Sequence, residues 1–517
     1  MQVVDNKVLV VKTATPDAIL TAITKSKVIG KSNGEYEVAV HWGLQEAQAL
    51  TLLGSKAPSP ILRDYKWTGK FTPFAHQKET SSFLTLHDKA FCFSQAGTGK
   101  TASVIWAADY LMKLGKVKRV LVVCPLSIMK SAWQQDLFKF AMHRSVGVAY
   151  GDSKARAKVI KAGAEFVIIN FDGIAVVKDE IIAGGFDLIV ADEATFLKTQ
   201  TTTRWKVFND ISKNATRLWL LTGTPAAQSP LDAYGLAKLV NPGGVPKYYG
   251  NFRDSVMYKV TQYKWVPRPN AEALVHQALQ PAIRFEKKDC LDLPEVTHVE
   301  RDAPLTPQQR AYYNTLSRQL RFSTDEADVT AVNAAAKIIK LLQIASGAVR
   351  TDTGEALEFD VSNRLKVVEE VINETGNKVL IFVPFTYTID LLKKYLDHKG
   401  ISNDCIDGRV SLNNRSLIVS DFQTKPDPKV LILQPQAASH GLTLTAADTV
   451  VWYAPVTSVE TYLQANARID RPGQKNAMTV VHVQGSPVEE RLYTMLRGNI
   501  TNHNKIVELY RELMAEA

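Results

Sequence analysis

The stretch Ser94-Gln-Ala-Gly-Thr-Gly-Lys-Thr101 decides how the chain is read. The apolar run Ala90-Phe-Cys-Phe93 stands before it, and the helix-patterned Ala102–Lys113 follows. A buried strand, a glycine turn and a helix in that order expose backbone N–H groups at a helix N-terminus, where a phosphate binds. Gly97, Thr98 and Gly99 form the turn, Lys100 reaches the β- and γ-phosphates, and Thr101 ligates Mg²⁺. The full phosphate-loop spacing asks for glycine where Ser94 stands, so a structural turn that merely contains Gly-Thr-Gly-Lys-Thr competes with this reading.

Working outward, Leu188-Ile-Val-Ala-Asp192-Glu193 is an apolar strand ending in paired acids. It would put Asp192 on the Mg²⁺ and Glu193 near the attacking water. Leu221-Thr-Gly-Thr-Pro225 closes another strand with two hydroxyls, Thr222 and Thr224, on the side that faces the phosphates. Far along the chain, Gln464-Ala-Asn-Ala-Arg-Ile-Asp-Arg-Pro-Gly-Gln474 places Arg468 and Arg471 three residues apart on one helical face. Arginines supplied by a second lobe stabilise transition-state charge and make hydrolysis depend on lobe closure. Surface salt-bridging is the bland alternative.

The 517 residues exceed one ordinary core and predict two to four domains. Hydrophobic content of 45% and charged content of 22% are those of a soluble globular chain. There is no apolar run of about eighteen residues, so no membrane span is expected, and the N-terminus has no signal-peptide layout. Cys92, Cys124, Cys290 and Cys405 show no metal-like spacing, which predicts a reducing compartment and no zinc. The excess of 62 Lys+Arg over 52 Asp+Glu leaves +10, spread along the chain, which points to a polyanionic partner on a surface assembled by folding.

Short apolar runs recur at Val120–Cys124, Phe166–Ile169, Leu188–Ala191 and Leu218–Leu221, and again at Val379–Val383, Val430–Leu433, Thr449–Tyr453 and Met478–Val483. Such continuity is that of parallel strands covered on both faces, so two α/β sheets are expected. Residues 228–345 read as helix-rich, and Thr351–Asp360 reads as a linker. In the first 68 residues a strand at Lys7–Lys12, a helix from Pro16, a turn at Ser32-Asn-Gly34 and a strand at Glu35–His41 suggest a small βαβα module. There Lys25, Lys27 and Lys31 with Tyr36 and Trp42 are either a DNA-facing edge or a solvated basic face over core aromatics.

In this order the motifs resemble those of superfamily 2 helicase-type motors, and within them the Swi2/Snf2 translocases, over about residues 70–490. His76-Gln77 resembles the adenine-reading Q motif, with Gln77 as reader. Ser94–Thr101 resembles motif I, which in this superfamily often lacks the first glycine. Cys124-Pro-Leu-Ser-Ile-Met-Lys-Ser-Ala-Trp133 resembles motif Ia, a nucleic-acid contact that would include Lys130 and Trp133. Asp192-Glu-Ala-Thr195 is similar to motif II and Thr222–Pro225 to motif III. Lys378–Phe382 looks like motif IV, and Ser439-His-Gly-Leu-Thr-Leu444 like motif V, with Ser439 and Thr443 on the DNA track. Gln464–Gln474 looks like motif VI, with Gln464 at the nucleotide. Ile283-Arg-Phe-Glu-Lys-Lys-Asp-Cys-Leu-Asp-Leu-Pro294 is similar to the family's Arg-Arg-x-Lys…Leu-Pro segment, with Phe285 in place of its second arginine. Thr195, His440 and Thr443 also depart from the common residues. Residues 1–68 resemble the HARP-type domains of annealing helicases and the small modules that precede phage fork-remodelling helicases.

The resemblance implies an α/β fold of two RecA-like parallel-sheet lobes in tandem, with a helical Snf2-type insertion and a small α+β N-terminal module. The expected divisions are an accessory module at 1–68, an ATP-binding lobe at 69–240, an insertion at 241–350, a second lobe at 351–485 and a helical brace at 486–517. It also implies a monomeric, cytoplasmic, ATP- and Mg²⁺-dependent translocase on duplex or branched DNA, without sequence preference. The expected output is annealing, fork regression or branch migration. A strand-separating DNA or RNA helicase and a remodeller that displaces a DNA-bound protein are the alternatives; a P-loop kinase is disfavoured by the second α/β series. Compactness fits a bacterial or phage source.

Overall fold

The structure is a computed structural model that describes residues 1–69, 71–223, 225–226, 229–261, 265–290, 294–322, 331–350, 356–438, 442–470 and 473–498. It divides into two compact units, one of Met1–Ala226 with Pro230–Cys290 and one of Ala227–Ser229 with Leu291–Ala517. Among the described residues, no helix is long and apolar enough to cross a membrane.

The first unit is built on a seven-stranded sheet. Its order is Ala282–Ile283, Lys89–Cys92, Arg217–Leu221, Leu188–Asp192, Val120–Cys124, Phe166–Asn170 and Val146–Ala149, and every pairing is parallel. The four strands from Arg217–Leu221 to Phe166–Asn170 are buried along their whole lengths, because helices cover both faces. Trp106, Trp133 and Trp219 fill one face, and Phe91, Phe208 and Tyr234 the other. Two outer strands, Val146–Ala149 and Ala282–Ile283, are absent from the sequence reading: each is short and only partly buried, so its apolar signal is weak. The helices Asp232–Val240, Tyr249–Val256 and Ala271–Ala278 pack through Leu236, Phe252 and Ala278 into the core of this same sheet.

At the N-terminus the βαβα expectation is corrected. The helix spans only Asp17–Ala22, and Ser26–Ser32 is a strand of an antiparallel four-stranded sheet, ordered Gln2–Val4, Val8–Thr13, Glu35–His41 and Ser26–Ser32. Asn33 and Gly34 have φ of 51° and 83°, the two-residue turn that joins antiparallel strands, with Ser32 opposite Glu35. Ser26–Ser32 lies at the sheet edge and is mostly exposed, so it lacks the alternation that announces a strand. Trp42 is core here: it is buried, and its indole N–H donates to Pro58 O at 2.8 Å. Gln48 Nε2 on Thr85 O at 2.9 Å and Thr85 Oγ1 on Ser59 Oγ at 2.7 Å tie the module to the helix Ala75–Leu86.

The second unit has a six-stranded parallel sheet ordered Val296–Asp302, Met478–Gln484, Ala447–Trp452, Lys378–Phe382, Val430–Leu433 and Asn403–Ile406. Val296–Asp302 falls within the stretch read as helix-rich; its Val-Thr-His-Val-Glu-Arg-Asp pattern suits a half-exposed edge and carries no apolar run. The helices Pro307–Phe322, Ala331–Ser346 and Pro487–Arg497 share a core of Tyr313, Ile338, Leu341, Leu342, Val488 and Leu492. A buried ion pair joins the helices Ser362–Glu374 and Pro487–Arg497: Arg364 Nη2 lies 2.7 and 2.9 Å from the two oxygens of Glu489.

Candidate nucleotide site

The phosphate loop leaves the strand Lys89–Cys92 at Phe93 and ends on the helix Lys100–Lys113. Gly97 and Gly99 have φ of 91° and 79°, a left-handed conformation that only glycine adopts without strain. Gly99 offers the helix no side-chain cap, and the N–H groups of a first helical turn have no acceptor within the helix. A Cβ at Gly99 would lie 2.1 Å from Gln77 Nε2, which binds the loop from above. That Nε2 donates to Thr98 O at 3.3 Å, while Gln77 Oε1 accepts from Phe74 N at 3.0 Å. His76 Nε2 also donates to Thr98 O, at 2.8 Å. The pair expected at the adenine is thus buried against the phosphate loop itself.

Lys100 Nζ donates to Ser94 O at 2.6 Å and Gln95 O at 3.2 Å. Asp192 ends the strand Leu188–Asp192, at the same edge of the sheet as the loop. Its Oδ1 accepts from Glu193 N at 3.0 Å and its Oδ2 from Trp133 Nε1 at 2.9 Å. Burial pushes the Asp192 carboxyl above its ordinary value; the Lys100 ammonium and the Trp133 N–H oppose that. Glu193 takes φ of 57°, a left-handed conformation costing a non-glycine residue about 1–3 kcal/mol. The strain turns the chain sharply just where the strand ends in two acids.

A hard cation fits this donor set. Asp192 would supply one buried carboxylate and Thr101 a hydroxyl on the first turn of the helix Lys100–Lys113, the kind of sparse oxygen set that suits Mg²⁺ beside a phosphate. Among the described residues, no group of three or more His, Cys, Asp and Glu side chains is placed to hold a metal ion by itself.

Thr222 N donates to Cys92 O at 3.0 Å, and a Cβ on Gly223 would lie 3.7 Å from Ser94 O and Ala96 N. The loop after Leu221 therefore rests on the phosphate loop; Thr224 lies outside the described residues. Lys130 is exposed on a single π-helical turn, Met129–Gln134, an irregularity that recurs at functional sites. Trp133, on the same turn, is fully buried and offers no face to a nucleic acid. Its contact with Asp192 was not legible in the sequence, since the two are far apart in the chain.

In the second unit the helix Val459–Asn466 carries Gln464, whose Nε2 donates to Glu460 Oε1 at 3.3 Å. Arg468 is 3% exposed; its Nε donates to Gln464 O at 2.9 Å and its Nη1 to Leu442 O at 3.3 Å. It braces the segment that presents the exposed Thr443. Gln474 closes the motif, with Nε2 on Ala447 O at 2.8 Å. Arg471 and Ser439 lie outside the described residues.

The model of the SNF2-related domain matches residues 76–354, and that of the helicase conserved C-terminal domain matches 363–473. Chromodomain-helicase-DNA-binding protein 1-like of Mus musculus is 27% identical over 488 residues, covering 88% of this chain and 52% of that protein. The putative protein p41 of Acyrthosiphon pisum secondary endosymbiont phage 1 is 28% identical over 429 residues, 79% of this chain and 90% of that protein. An uncharacterized ATP-dependent helicase of Mycoplasma genitalium is 26% identical over 431 residues, 81% of this chain and 40% of that protein. Against the mouse relative, then, the chain spans about half the length. With more than half of its residues matched by the SNF2-related domain, and a helicase C-terminal domain following in order, the chain belongs to the SNF2-related family.

Proposed function

We propose that the protein is an ATP- and Mg²⁺-dependent motor that tracks along duplex DNA through phosphate contacts, without reading sequence. The observation that carries this is the meeting of Lys100, Asp192 and the Thr222 loop at one sheet edge, with the π-turn residue Trp133 bonded to Asp192. Gln77, Gly97, Thr98, Gly99, Lys100, Thr101 and Gln464 hold ATP; Thr101 and Asp192 hold the metal; Glu193 orients the attacking water. Arg468 and Arg471, in the second unit, are the proposed arginine pair, with Arg468 also bracing its own segment. When bound, Mg²⁺ neutralises phosphate charge. Lys130, Trp133, Thr222, Thr224, Ser439 and Thr443 form the DNA track or its coupling, with Trp133 acting from the interior.

The finer reading is remodelling of branched DNA by annealing, fork regression or branch migration, with residues 1–68 recognising the branch. Exposed Lys27 and Lys31 on the edge strand Ser26–Ser32, and the net charge of +10, support a DNA-facing module. The test is ATPase activity across forks, junctions, duplex, single strands and RNA, for the full chain and a chain lacking residues 1–68. Stimulation by duplex and forks, with fork preference lost on deletion, supports the reading. Stimulation by RNA alone overturns it. Unchanged fork binding with lost displacement of a DNA-bound protein favours a protein-displacing remodeller.

A further inference from the structure

The strand that feeds the phosphate loop is clasped on its outer side by the segment Pro281–Lys287. Ala282 and Ile283 lie opposite Phe91 and Cys92 in parallel register, but the pairing continues beyond the sheet. Phe91 N donates to Pro281 O at 2.9 Å, Phe93 N to Ile283 O at 2.8 Å and Gln95 N to Phe285 O at 3.0 Å. The ladder thus runs into the phosphate loop itself. Two side chains of the loop answer it: Ser94 Oγ accepts from Phe285 N at 3.1 Å, and Gln95 Oε1 accepts from Lys287 N at 3.0 Å.

The same two residues hold the lysine that meets the phosphates. Lys100 Nζ donates to Ser94 O and Gln95 O, and Thr98 Oγ1 donates to Gln95 O at 2.8 Å. Ser94 C=O and Gln95 N–H belong to one rigid trans peptide plane and point in opposite directions. On one side the plane is held by Lys100, and on the other by Phe285 O. The ammonium cannot turn fully to a phosphate oxygen without loosening its grip on Ser94 O, and rotation of that plane disturbs the bond to Phe285. Beyond Lys287 the chain runs through Lys287–Cys290 and there passes from the first unit to the second.

We propose that Ser94 and Gln95 are positioning residues that link engagement of a nucleotide by Lys100 to the segment 281–290. Serine stands where the full phosphate-loop spacing asks for glycine, and its hydroxyl accepts the Phe285 N–H, a bond that glycine cannot make. The proposal rests on the ATP reading above, and adds to it a mechanical path from the phosphate loop into the inter-unit chain. His76 strengthens the clasp, its ring 5.7 Å from that of Phe285 and its Nε2 on Thr98 O.

The experiment compares full-length wild type with Ser94→Gly, Ser94→Thr and Gln95→Ala. It reads binding of a fluorescent ATP analogue, ATPase kcat and KM with saturating duplex DNA, and amide hydrogen exchange of residues 283–288 with and without the analogue. Loss of one such hydrogen bond predicts exchange at Phe285 about five- to tenfold faster in Ser94→Gly. It also predicts a kcat about tenfold lower with KM changed less than about threefold, and no response of 283–288 to nucleotide. Ser94→Thr, which keeps the hydroxyl, restores both readouts, and Gln95→Ala reproduces the exchange effect at Lys287. Wild-type kcat and a wild-type nucleotide response of 283–288 in both Ser94→Gly and Gln95→Ala overturn this proposal alone. Failure of the wild type to bind the ATP analogue overturns the functional reading and this proposal with it.

Discussion

Trp133 donates its indole N–H to Asp192 Oδ2 at 2.9 Å, so a residue on the π-turn that exposes Lys130 directly holds the carboxylate expected to bind the metal. Both partners are buried, which raises the worth of the bond. A nucleic acid pressing on the outer face of this turn would move the inner face, and with it Asp192. Trp133→Phe keeps an aromatic ring but removes the donor. A lost hydrogen bond to a buried charged group is worth about 1.5–3 kcal/mol, or roughly 10- to 150-fold in rate if it is realised fully in the transition state. DNA-stimulated ATPase should fall within that range, with the Mg²⁺ requirement shifted to higher concentration. Titrating Mg²⁺ at saturating DNA checks it, and an unchanged Mg²⁺ curve would count against the link.

Lys100→Ala should abolish ATPase while leaving salt-sensitive DNA binding largely intact, because the lysine is proposed to serve phosphate and not the DNA track. Fluorescence anisotropy with a labelled duplex at two salt concentrations measures this. Parallel loss of DNA binding would show that the two tasks are not divided as proposed.

Gly99→Ala meets two obstacles. Its φ of 79° costs an L-residue roughly 1–2 kcal/mol, and the added Cβ would lie 2.1 Å from Gln77 Nε2. ATP affinity should drop at least about tenfold. A nucleotide-binding titration of wild type and Gly99→Ala checks it; an unchanged affinity would show that the loop tolerates a side chain here.

Arg364 Nη2 donates to both oxygens of Glu489, which also accepts from Gly485 N at 3.0 Å and Ser486 Oγ at 2.9 Å. Glu489→Ala leaves a buried guanidinium without its counter-charge and should cost the second unit about 3–5 kcal/mol. Replacing both residues with Arg364→Met and Glu489→Leu should recover most of that loss. Thermal unfolding of the three variants decides it.

His482 is buried, and its Nε2 lies 2.8 Å from Tyr462 Oη, an arrangement that suits the neutral ring. Burial, and then the charges of His298 and Arg497, push its pKa from 6.5 down to about 3. The unfolded state therefore binds the extra proton first. Its contribution to stability is intact above pH 6.5 and is lost as pH falls toward 3, by up to about 1.4 kcal/mol per pH unit. Hydrogen exchange of the strand Met478–Gln484 at pH 7.5, 6 and 5, corrected for intrinsic rates, should show this slope. His482→Gln should flatten it.

The interior strands were legible because each is a continuous apolar run, which only a strand covered on both faces needs. Val296–Asp302, Ser26–Ser32 and Ala282–Ile283 were not, because an edge strand is partly wet and its pairing is decided by the neighbour it meets. The candidate nucleotide residues Lys100, Asp192 and Glu193 could be named from the sequence for a different reason. Phosphate and metal chemistry demands those residue types at fixed offsets from a strand end, and local geometry then places them.

The sequence by itself determined that the chain has a phosphate loop, an acidic strand end and two α/β sheets, since these follow from local spacing and apolar continuity. Only the tertiary structure decided what holds them. It placed Trp133 on Asp192, folded Arg468 into a brace under Thr443, and laid Phe285 along Ser94 and Gln95. These are contacts between residues distant in the chain, made by packing and backbone pairing, and no spacing rule records them.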